Sequence, residues 1–368
     1  MNLTLQSENF AAFFEAPFVA YGPNSNYVSP LKSDLKRFLD PILNPLFQGD
    51  SALTYFTAHR GDRIVGQITA HLHAGSNVLH DPDLGCFGYF DCADNPEAAK
   101  ALLDAAADWL RGNGFRRMAG NFNLTAMQQI GVVTDGFAHA PYLDQVWSPP
   151  HIARLLKENG FEATFPMATF ALDLTNPVSP IGPKQKAILD DPSFEFAPVT
   201  RQTIPQRMED ARLILNASFA ENPMFVPVTK DEFHFQAKDM KWVMDPRLSV
   251  VLHHNGRPVA CVICVPNLNP LLQRIRSRMG FSAPWHFLRH RMRNTSVSLI
   301  FLGVVPELQG RGVNPLLMVK VFEAAKNAGY RDLRNTWIAD VNGASLAQAV
   351  KAGANPLHRL HLFSKSIA

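Results

Sequence analysis

The sequence is poor in cysteine, which excludes a disulfide framework. It has four cysteines among 368 residues, and their spacing does not indicate a zinc site. Cys261 and Cys264 form a C-x-x-C pair, but they lie in an apolar run that predicts a strand, where positions i and i+3 face opposite sides. We therefore expect the cysteines to pack in the core. His71 and His73 would share one strand face, yet no third ligand lies near them in sequence, so we expect no metal site.

The sequence also lacks the signals of export and of membrane spans. It contains no run of about 18 uncharged apolar residues that could cross a bilayer. The N-terminal segment has no basic region followed by an apolar one, so it does not read as a signal peptide. We expect a cytoplasmic protein.

Acidic residues are absent from one long segment. No Asp or Glu occurs between Asp245 and Glu307, whereas arginine accumulates there, at positions Arg247, Arg257, Arg274, Arg276, Arg278, Arg289, Arg291 and Arg293. The net charge of the whole chain, +3, hides this asymmetry.

The densest part of this basic segment, 266–294, interleaves arginines with large apolar side chains such as Met279, Phe281, Trp285 and Leu288. Short helices of this composition lie at membrane interfaces, where anionic lipid attracts the basic residues. The alternatives are an arginine cluster that serves phosphates or solubility, and nucleic-acid binding. We expect no nucleic-acid partner, because the rest of the chain is nearly neutral and has no recognised nucleic-acid motif.

The length favours two domains, and the chain repeats one plan. In each half, two helical runs close at a glycine and each is followed by an apolar strand. The helical runs are 97–111 and 151–158 in the first half, and 316–327 and 345–351 in the second. A proline-rich stretch at 176–198 predicts a linker, so we expect domains at 1–175 and 199–368, with 266–294 as an insertion in the second.

A run near the C-terminus, from Phe301 to Pro315, reads as an apolar strand, a glycine turn and the start of a helix. Gly310 and Gly312 allow backbone angles that other residues resist, so successive N–H groups can point into one concavity at the positive end of the helix. Such a concavity stabilises an anionic pyrophosphate; the alternative is an ordinary strand-to-helix turn. Asn314 suits the N-cap, and Pro315 the first helical position.

This string resembles the acyl-CoA loop of the GNAT acyltransferase superfamily, in which Q/R-x-x-G-x-G/A follows a strand ending in Val-x-Pro. Gln309, Gly312 and 304–306 match the pattern, whereas Asn314 replaces the last Gly or Ala. The resemblance implies a mixed α/β fold of two GNAT-like domains in tandem, each with a mostly antiparallel sheet flanked by helices. It also implies acyl-CoA as co-substrate, held by Val304, Val305, Gln309, Gly310, Arg311, Gly312, Val313 and Asn314.

The first half has no such loop. The corresponding stretch, 90–97, lacks glycine and carries acidic residues, including Asp91 and Asp94, which would repel a pyrophosphate. We therefore expect one cofactor site. The extra first-half stretch at 121–150, rich in Asn, Tyr and Trp, is either a pocket wall or a loop packed on the seam between the halves.

The resemblance further implies direct attack of an amine on a thioester held where the strand at 302–305 splays from its neighbour. A backbone N–H near Val304 or Val305 is the candidate donor to the oxyanion. Asp340 is the candidate general base, and its alternative role is an N-cap for the next helix.

Two further positions complete the candidate catalytic set. Asn342 is expected close to the cleft. Glu221, with Asn222, falls where such folds build the acceptor wall, although a turn that ends a helix explains both equally well.

Over nearly the whole chain, the sequence is similar to tandem GNAT proteins that include bacterial ceramide synthases. The resemblance implies transfer of a fatty acyl group to the amine of a long-chain base, at the cytoplasmic face of an anionic membrane contacted by 266–294. Two alternatives stay open: acylation of a small soluble amine or amino acid, and a CoA-binding module without catalysis.

Overall fold

The computed structural model describes residues 2–177, 180–222, 224–238 and 240–368. The first half contains β1 (Leu3–Ser7), α1 (Phe10–Tyr21), α2 (Lys32–Phe38), β2 (Ala52–Arg60), β3 (Arg63–Leu72), α3 (Ala74–Leu79), β4 (Leu84–Cys92), α4 (Pro96–Gly112), β5 (Arg117–Gly120), β6 (Phe122–Asn123), β7 (Gln129–Ile130), β8 (Val132–Asp135), α5 (Pro150–Glu158) and β9 (Glu162–Asp173). The rest contains α6 (Pro183–Asp190), β10 (Phe194–Ala197), α7 (Ile204–Ser218), α8 (Lys230–Ala237), α9 (Met240–Val243), β11 (Val250–His254), β12 (Arg257–Pro266), α10 (Asn269–Arg274), α11 (Ala283–Arg293), β13 (Ser296–Val304), α12 (Val313–Asn327), β14 (Asp332–Ala339), α13 (Gly343–Lys351) and β15 (Asn355–Ser366).

The helices begin and end where local chemistry predicts. In α4, the Asn95 side chain accepts a hydrogen bond from the Ala98 N–H at 3.1 Å, and Pro96 occupies the first turn, where its missing N–H costs nothing. Gly114, with φ of 90°, follows the end of the helix. The four predicted helical runs correspond to α4, α5, α12 and α13.

Thirteen of the described strands form one mixed sheet, and β6 and β7 pair in a separate two-stranded sheet. The order in the large sheet is β1-β2-β3-β4-β5-β15-β9-β14-β13-β12-β11-β10, and β8 pairs with β15 outside this path. Most neighbours are antiparallel, but β4 pairs with β5, and β13 with β14, in parallel. Helices cover both faces: α1 and α2 lie opposite α4 and α5 in the first half. The expected mixed α/β tandem fold is confirmed.

The two halves exchange their last strands. The first-half strand β9 lies beside β14 of the second half, whereas the C-terminal strand β15 lies between β5 and β9. The sheet is therefore continuous across the chain. The stretch predicted as a linker, 176–198, contains α6 and β10, and its domain boundaries stay a prediction.

Each parallel strand pair diverges along its length. The pairing of β13 with β14 stops at Leu299 and Asn335, although both strands continue beyond these residues. The pairing of β4 with β5 stops at Cys86 and Ala119. Each half therefore has a gap in the sheet, on the side where its parallel strands end.

The cysteines pack as predicted. All four are buried free thiols. Cys261 and Cys264 belong to apolar clusters on opposite faces of β12, because alternate residues of a strand face opposite sides.

Candidate active site

The glycine turn follows β13 directly. A short 3-10 turn, Pro306–Leu308, leads to Gly310 and Gly312, whose φ angles are 72° and 95°, and α12 begins at Val313. Gly312 is thus the N-cap residue, and the expectation that Asn314 caps the helix is wrong. The left-handed backbone at Gly312 starts the helix earlier, which leaves Asn314 and Pro315 inside the first turn.

Gln309 fixes the turn to the strand. Its Nε2 donates to the Val304 carbonyl at 3.0 Å. The side chain therefore holds the loop in place, while Gly310 and Arg311 are exposed. The N–H groups at the start of α12 have no partner within the helix, so the exposed turn presents N–H donors and the Arg311 charge to an anion. These residues fit a diphosphate.

Helix α6 packs against the same turn. A Cβ atom on Gly312 would lie 3.0 Å from Cβ of Lys184 and 3.4 Å from Nε2 of Gln185. This brings a second basic residue, Lys184, to the loop. The sequence gives no sign of this contact, because the proline density of 176–198 favours a linker. Pro183, which sits in the first turn of α6, is the signal that could have indicated the helix.

The cleft between β13 and β14 begins where their pairing ends, at Leu299, and β13 continues from there to Val304, before the glycine turn. The N–H of Val305 donates to the Val259 carbonyl of β12 at 2.9 Å, which removes it as an oxyanion donor. Successive residues of a strand direct their N–H groups to opposite sides, so the Val304 N–H faces the cleft. Of the two candidate oxyanion donors, the Val304 N–H is therefore the one that faces the cleft.

The end of α7 forms one wall beside β13. A Cβ on Gly303 would lie 2.9 Å from the Ser218 Oγ, and the Phe219 ring lies 5.7 Å from that of Phe301. Glu221 is exposed in the turn that follows, and Asn222 accepts a hydrogen bond from the Met224 N–H at 3.0 Å. The segment thus packs near the cleft and also contains the helix-ending turn.

Asp340 is held by an arginine of the exchanged strand. Its two carboxylate oxygens accept from the Arg359 guanidinium at 2.9 and 2.8 Å. These hydrogen bonds lower the pKa of Asp340, which does not favour a role as general base. The alternative N-cap role belongs to Asn342, whose Oδ1 accepts from the Ser345 N–H at 3.1 Å. Asn314, from α12, accepts from Gln348 of α13 at 2.9 Å, which ties the loop helix to α13.

The first-half cleft differs in its backbone chemistry. Oδ1 of Asn123 accepts from the Tyr89 N–H at 2.8 Å, and Oδ1 of Asn121 accepts from the Phe90 N–H at 3.1 Å. In the first half, the strand N–H groups beside the gap are therefore already paired. Asp91 adds a buried carboxyl group at the end of β4.

Each candidate histidine uses one ring nitrogen in a hydrogen bond within the chain. His71 bonds the Leu124 carbonyl through Nε2, and burial lowers its pKa to about 3. His73 accepts from the Ser76 N–H at the start of α3. Within residues 2–177, 180–222, 224–238 and 240–368, no group of three His, Cys, Asp or Glu is placed to hold a metal ion. None of the helices in those ranges is long and apolar enough to cross a bilayer.

No protein-family model matches the sequence. The chain is 24% identical to Protein YghO of Escherichia coli strain K12, with 99% of this chain and 94% of that protein aligned. It is also 24% identical to the Bacterial ceramide synthase of Caulobacter vibrioides, with 96% of this chain and 94% of that protein aligned.

Solved structures share the whole architecture. A tandem GNAT protein from the clavulanic acid biosynthesis pathway superposes with a TM-score of 0.58 at 12% identity, covering 100% of this chain and 99% of that one. A GCN5-related N-acetyltransferase from Sphaerobacter thermophilus superposes with a TM-score of 0.55 at 12% identity, covering 99% and 96%. The chain therefore has the tandem GNAT fold, and its similarity to a bacterial ceramide synthase over nearly its whole length supports an N-acyltransferase enzyme.

Proposed function

We propose that the chain is an acyl-CoA-dependent N-acyltransferase that transfers a fatty acyl group to the amine of a long-chain base. The observation that carries the proposal is the cleft between β13 and β14, which opens at Leu299 and leads to the exposed glycine turn. The similarity to the Caulobacter ceramide synthase supports the lipid acceptor.

In this proposal the turn holds the co-substrate by its diphosphate. The N–H groups at the start of α12 and the charges of Arg311 and Lys184 bind the phosphate oxygens. Polar backbone groups at 302–304 on the cleft side of β13 hold the pantetheine arm. When bound, acyl-CoA supplies the thioester; the amine forms a C–N bond with its carbonyl carbon, the C–S bond breaks, and CoA leaves as the thiol.

Two groups of the chain assist the reaction: one donates a hydrogen bond to the carbonyl oxygen, and one accepts the proton of the amine. The Val304 N–H is the donor available to charge that develops on the carbonyl oxygen. Of the predicted catalytic residues, Asp340 is in an ion pair and Asn342 caps a helix, which leaves Glu221 as the candidate base. It would accept the amine proton directly or through water.

The inserted segment 266–294 is the proposed membrane contact. Trp285, Leu288 and Met292 lie in α11 at spacings of three and four residues, which places them on one helical face, and Phe281 lies in the turn just before the helix. Their exposed fractions are 64%, 50%, 68% and 109%. An exposed apolar face flanked by arginines fits an anionic lipid surface.

The insertion is attached to the first half of the chain, and it leads into the strand beside the cleft. The Ser277 Oγ donates to the Ser29 carbonyl at 2.6 Å, and Arg278 pairs with Glu15 of α1. The segment leads into β13 at Ser296, three residues before Leu299, a distance of about 10 Å along a strand. A lipid chain that extends from the Leu299 end of the cleft therefore has a short path to α11.

The test is release of free CoA by the purified chain, with product identified by mass spectrometry. Palmitoyl-CoA with sphinganine should give rapid release and an N-acyl product, and acetyl-CoA with 2-aminoethanol should give little. Faster turnover of the soluble pair would favour the small-amine alternative. CoA binding without release from either pair would favour a non-catalytic module.

A further inference from the structure

The first-half gap between β4 and β5 contains a polar cavity in place of a CoA cleft. Its lining includes Tyr27, Tyr89, Asp91, Gln145 and Trp147. The cavity is small: the space open to the centres of water-sized groups is about 30 Å³. It can therefore take only the head group of a ligand.

Asp91 is a buried carboxyl group that takes part in none of the ion pairs seen among the described residues. It is 6% exposed; its Oδ1 accepts from the Tyr21 hydroxyl at 2.8 Å and its Oδ2 from Nε2 of Gln67 at 2.9 Å. Burial raises its pKa to about 6, so it is mostly ionised at neutral pH.

Burial favours the neutral forms of four titratable groups that interact with Asp91, because it raises the pKa of Cys92, Tyr21, Tyr27 and Tyr89. A further buried acid, Asp144, interacts with Tyr89, and burial raises its pKa to about 7. His151, whose ring lies 6.1 Å from that of Tyr21, donates through its Nε2 to the Cys92 carbonyl at 2.8 Å. Among the described residues, the hydrogen-bond donors to Asp91 are thus the uncharged side chains of Tyr21 and Gln67.

Two more polar atoms of the cavity lining lack partners. Gln145 is 4% exposed, and its Oε1 is buried without a hydrogen bond among the described residues. The Nε1 of Trp147 is also buried and has no hydrogen-bond partner among the described residues. Unpaired buried polar atoms are costly, so a ligand that satisfies them gains affinity. The cavity therefore offers two acceptor groups, Asp91 and Gln145, and one donor, Trp147.

Aromatic rings surround the carboxyl group. The Tyr21 ring lies 5.7 Å from the ring of Tyr27 and 5.7 Å from that of Trp147. Ring faces attract cations, and aromatic rings beside a carboxylate are the surroundings in which proteins hold ammonium groups.

We propose that this cavity binds the head group of an amino alcohol. The ammonium group donates to Asp91 and to Oε1 of Gln145, and the neighbouring hydroxyl oxygen accepts from Nε1 of Trp147. The site is distinct from the glycine turn, and its occupation does not require acyl transfer.

The probe is 2-aminoethanol, titrated by calorimetry into the full chain without acyl-CoA. It should bind, ethylamine should bind about tenfold more weakly because one hydrogen bond is lost, and ethylene glycol should not bind. Below pH 6 the affinity should fall about tenfold per pH unit, because protonation removes the charge of Asp91.

Two variants identify the contacts. Asp91→Asn should abolish binding of both amines, whereas Asp94→Asn, which changes an exposed acid nearby, should leave it intact. Trp147→Phe removes only the N–H donor. It should therefore lower the affinity for 2-aminoethanol to that for ethylamine, and it should leave the affinity for ethylamine unchanged. Circular dichroism would verify the fold of each variant. No heat of binding from either amine, or equal binding by wild type and a folded Asp91→Asn, would overturn the proposal in favour of a cavity filled by water; CoA release assays would be unaffected by that outcome.

Discussion

Asp340 and Arg359 form a bidentate ion pair that spans an exchanged strand. Their paired atoms lie 2.9 and 2.8 Å apart, and the strand between them, β9, comes from the other half of the chain. Asp340 follows β14, and Arg359 lies in the C-terminal strand β15. The pair therefore helps to hold together the three strands at the centre of the sheet.

Asp340→Asn should cost little activity. Turnover should stay within about threefold of wild type, since a carboxylate whose pKa is lowered by an arginine is a weak base. The free energy of unfolding should fall by about 0.2–1 kcal/mol, as for other half-exposed pairs. Because the pKa is lowered on folding, this stabilisation is present above the carboxyl's ordinary pKa and is lost as pH falls through the folded value. Urea unfolding at several pH values and steady-state kinetics measure both effects. A hundredfold loss of turnover with intact stability would instead make Asp340 the base.

Gly310→Ala and Gly312→Ala should differ in stability. Both place a side chain on a left-handed backbone, which costs about 1–2 kcal/mol. Gly310 has open space around its Cβ position, whereas a Cβ at Gly312 meets Lys184 at 3.0 Å. Gly312→Ala should therefore destabilise the chain by about 1 kcal/mol more, measured by urea unfolding. In a Lys184→Gly background the difference should shrink; an unchanged difference would show that α6 does not pack against the turn.

Replacing the exposed apolar side chains of α11 and of the turn before it should weaken membrane binding. Phe281→Ser, Trp285→Ser and Leu288→Ser together remove the apolar anchor and leave every arginine in place. Sedimentation with phosphatidylglycerol vesicles should fall at least about tenfold, because each large apolar side chain contributes about 1.5–3 kcal/mol when buried. The control, Val341→Ser with Val350→Ser, removes apolar side chains that are 72% and 68% exposed elsewhere. Equal sedimentation of all proteins would argue against a membrane role for 266–294.

Sequence patterns predicted the helices whose ends are set by capping residues and glycines. The helical run 97–111 matches α4 within one residue at each end, since Asn95, Pro96 and Gly114 define both ends. The glycine turn was likewise located from its residues. Its internal geometry was predicted less well, because the left-handed Gly312 begins α12 before Asn314.

Relationships between distant residues could not be predicted in the same way. Nothing near Asp340 in the sequence indicates that Arg359 binds it, because the contact depends on the order of strands in the folded sheet. The same holds for β9 and β15, whose exchange is set by pairing across the halves. Lys184 was missed since a proline-rich stretch can also begin a helix.

Isothermal titration of CoA into wild type, Arg311→Glu and Arg63→Glu tests the glycine turn as the phosphate site most directly. Arg311 is exposed in the turn, and Arg63 is an exposed residue of β3 that undergoes the same change of charge. We predict that Arg311→Glu raises the Kd for CoA about 10- to 100-fold, because a charge-assisted contact is replaced by repulsion, and that Arg63→Glu changes it less than about twofold. An unchanged Kd for Arg311→Glu, or an equal rise for both variants, would contradict the account.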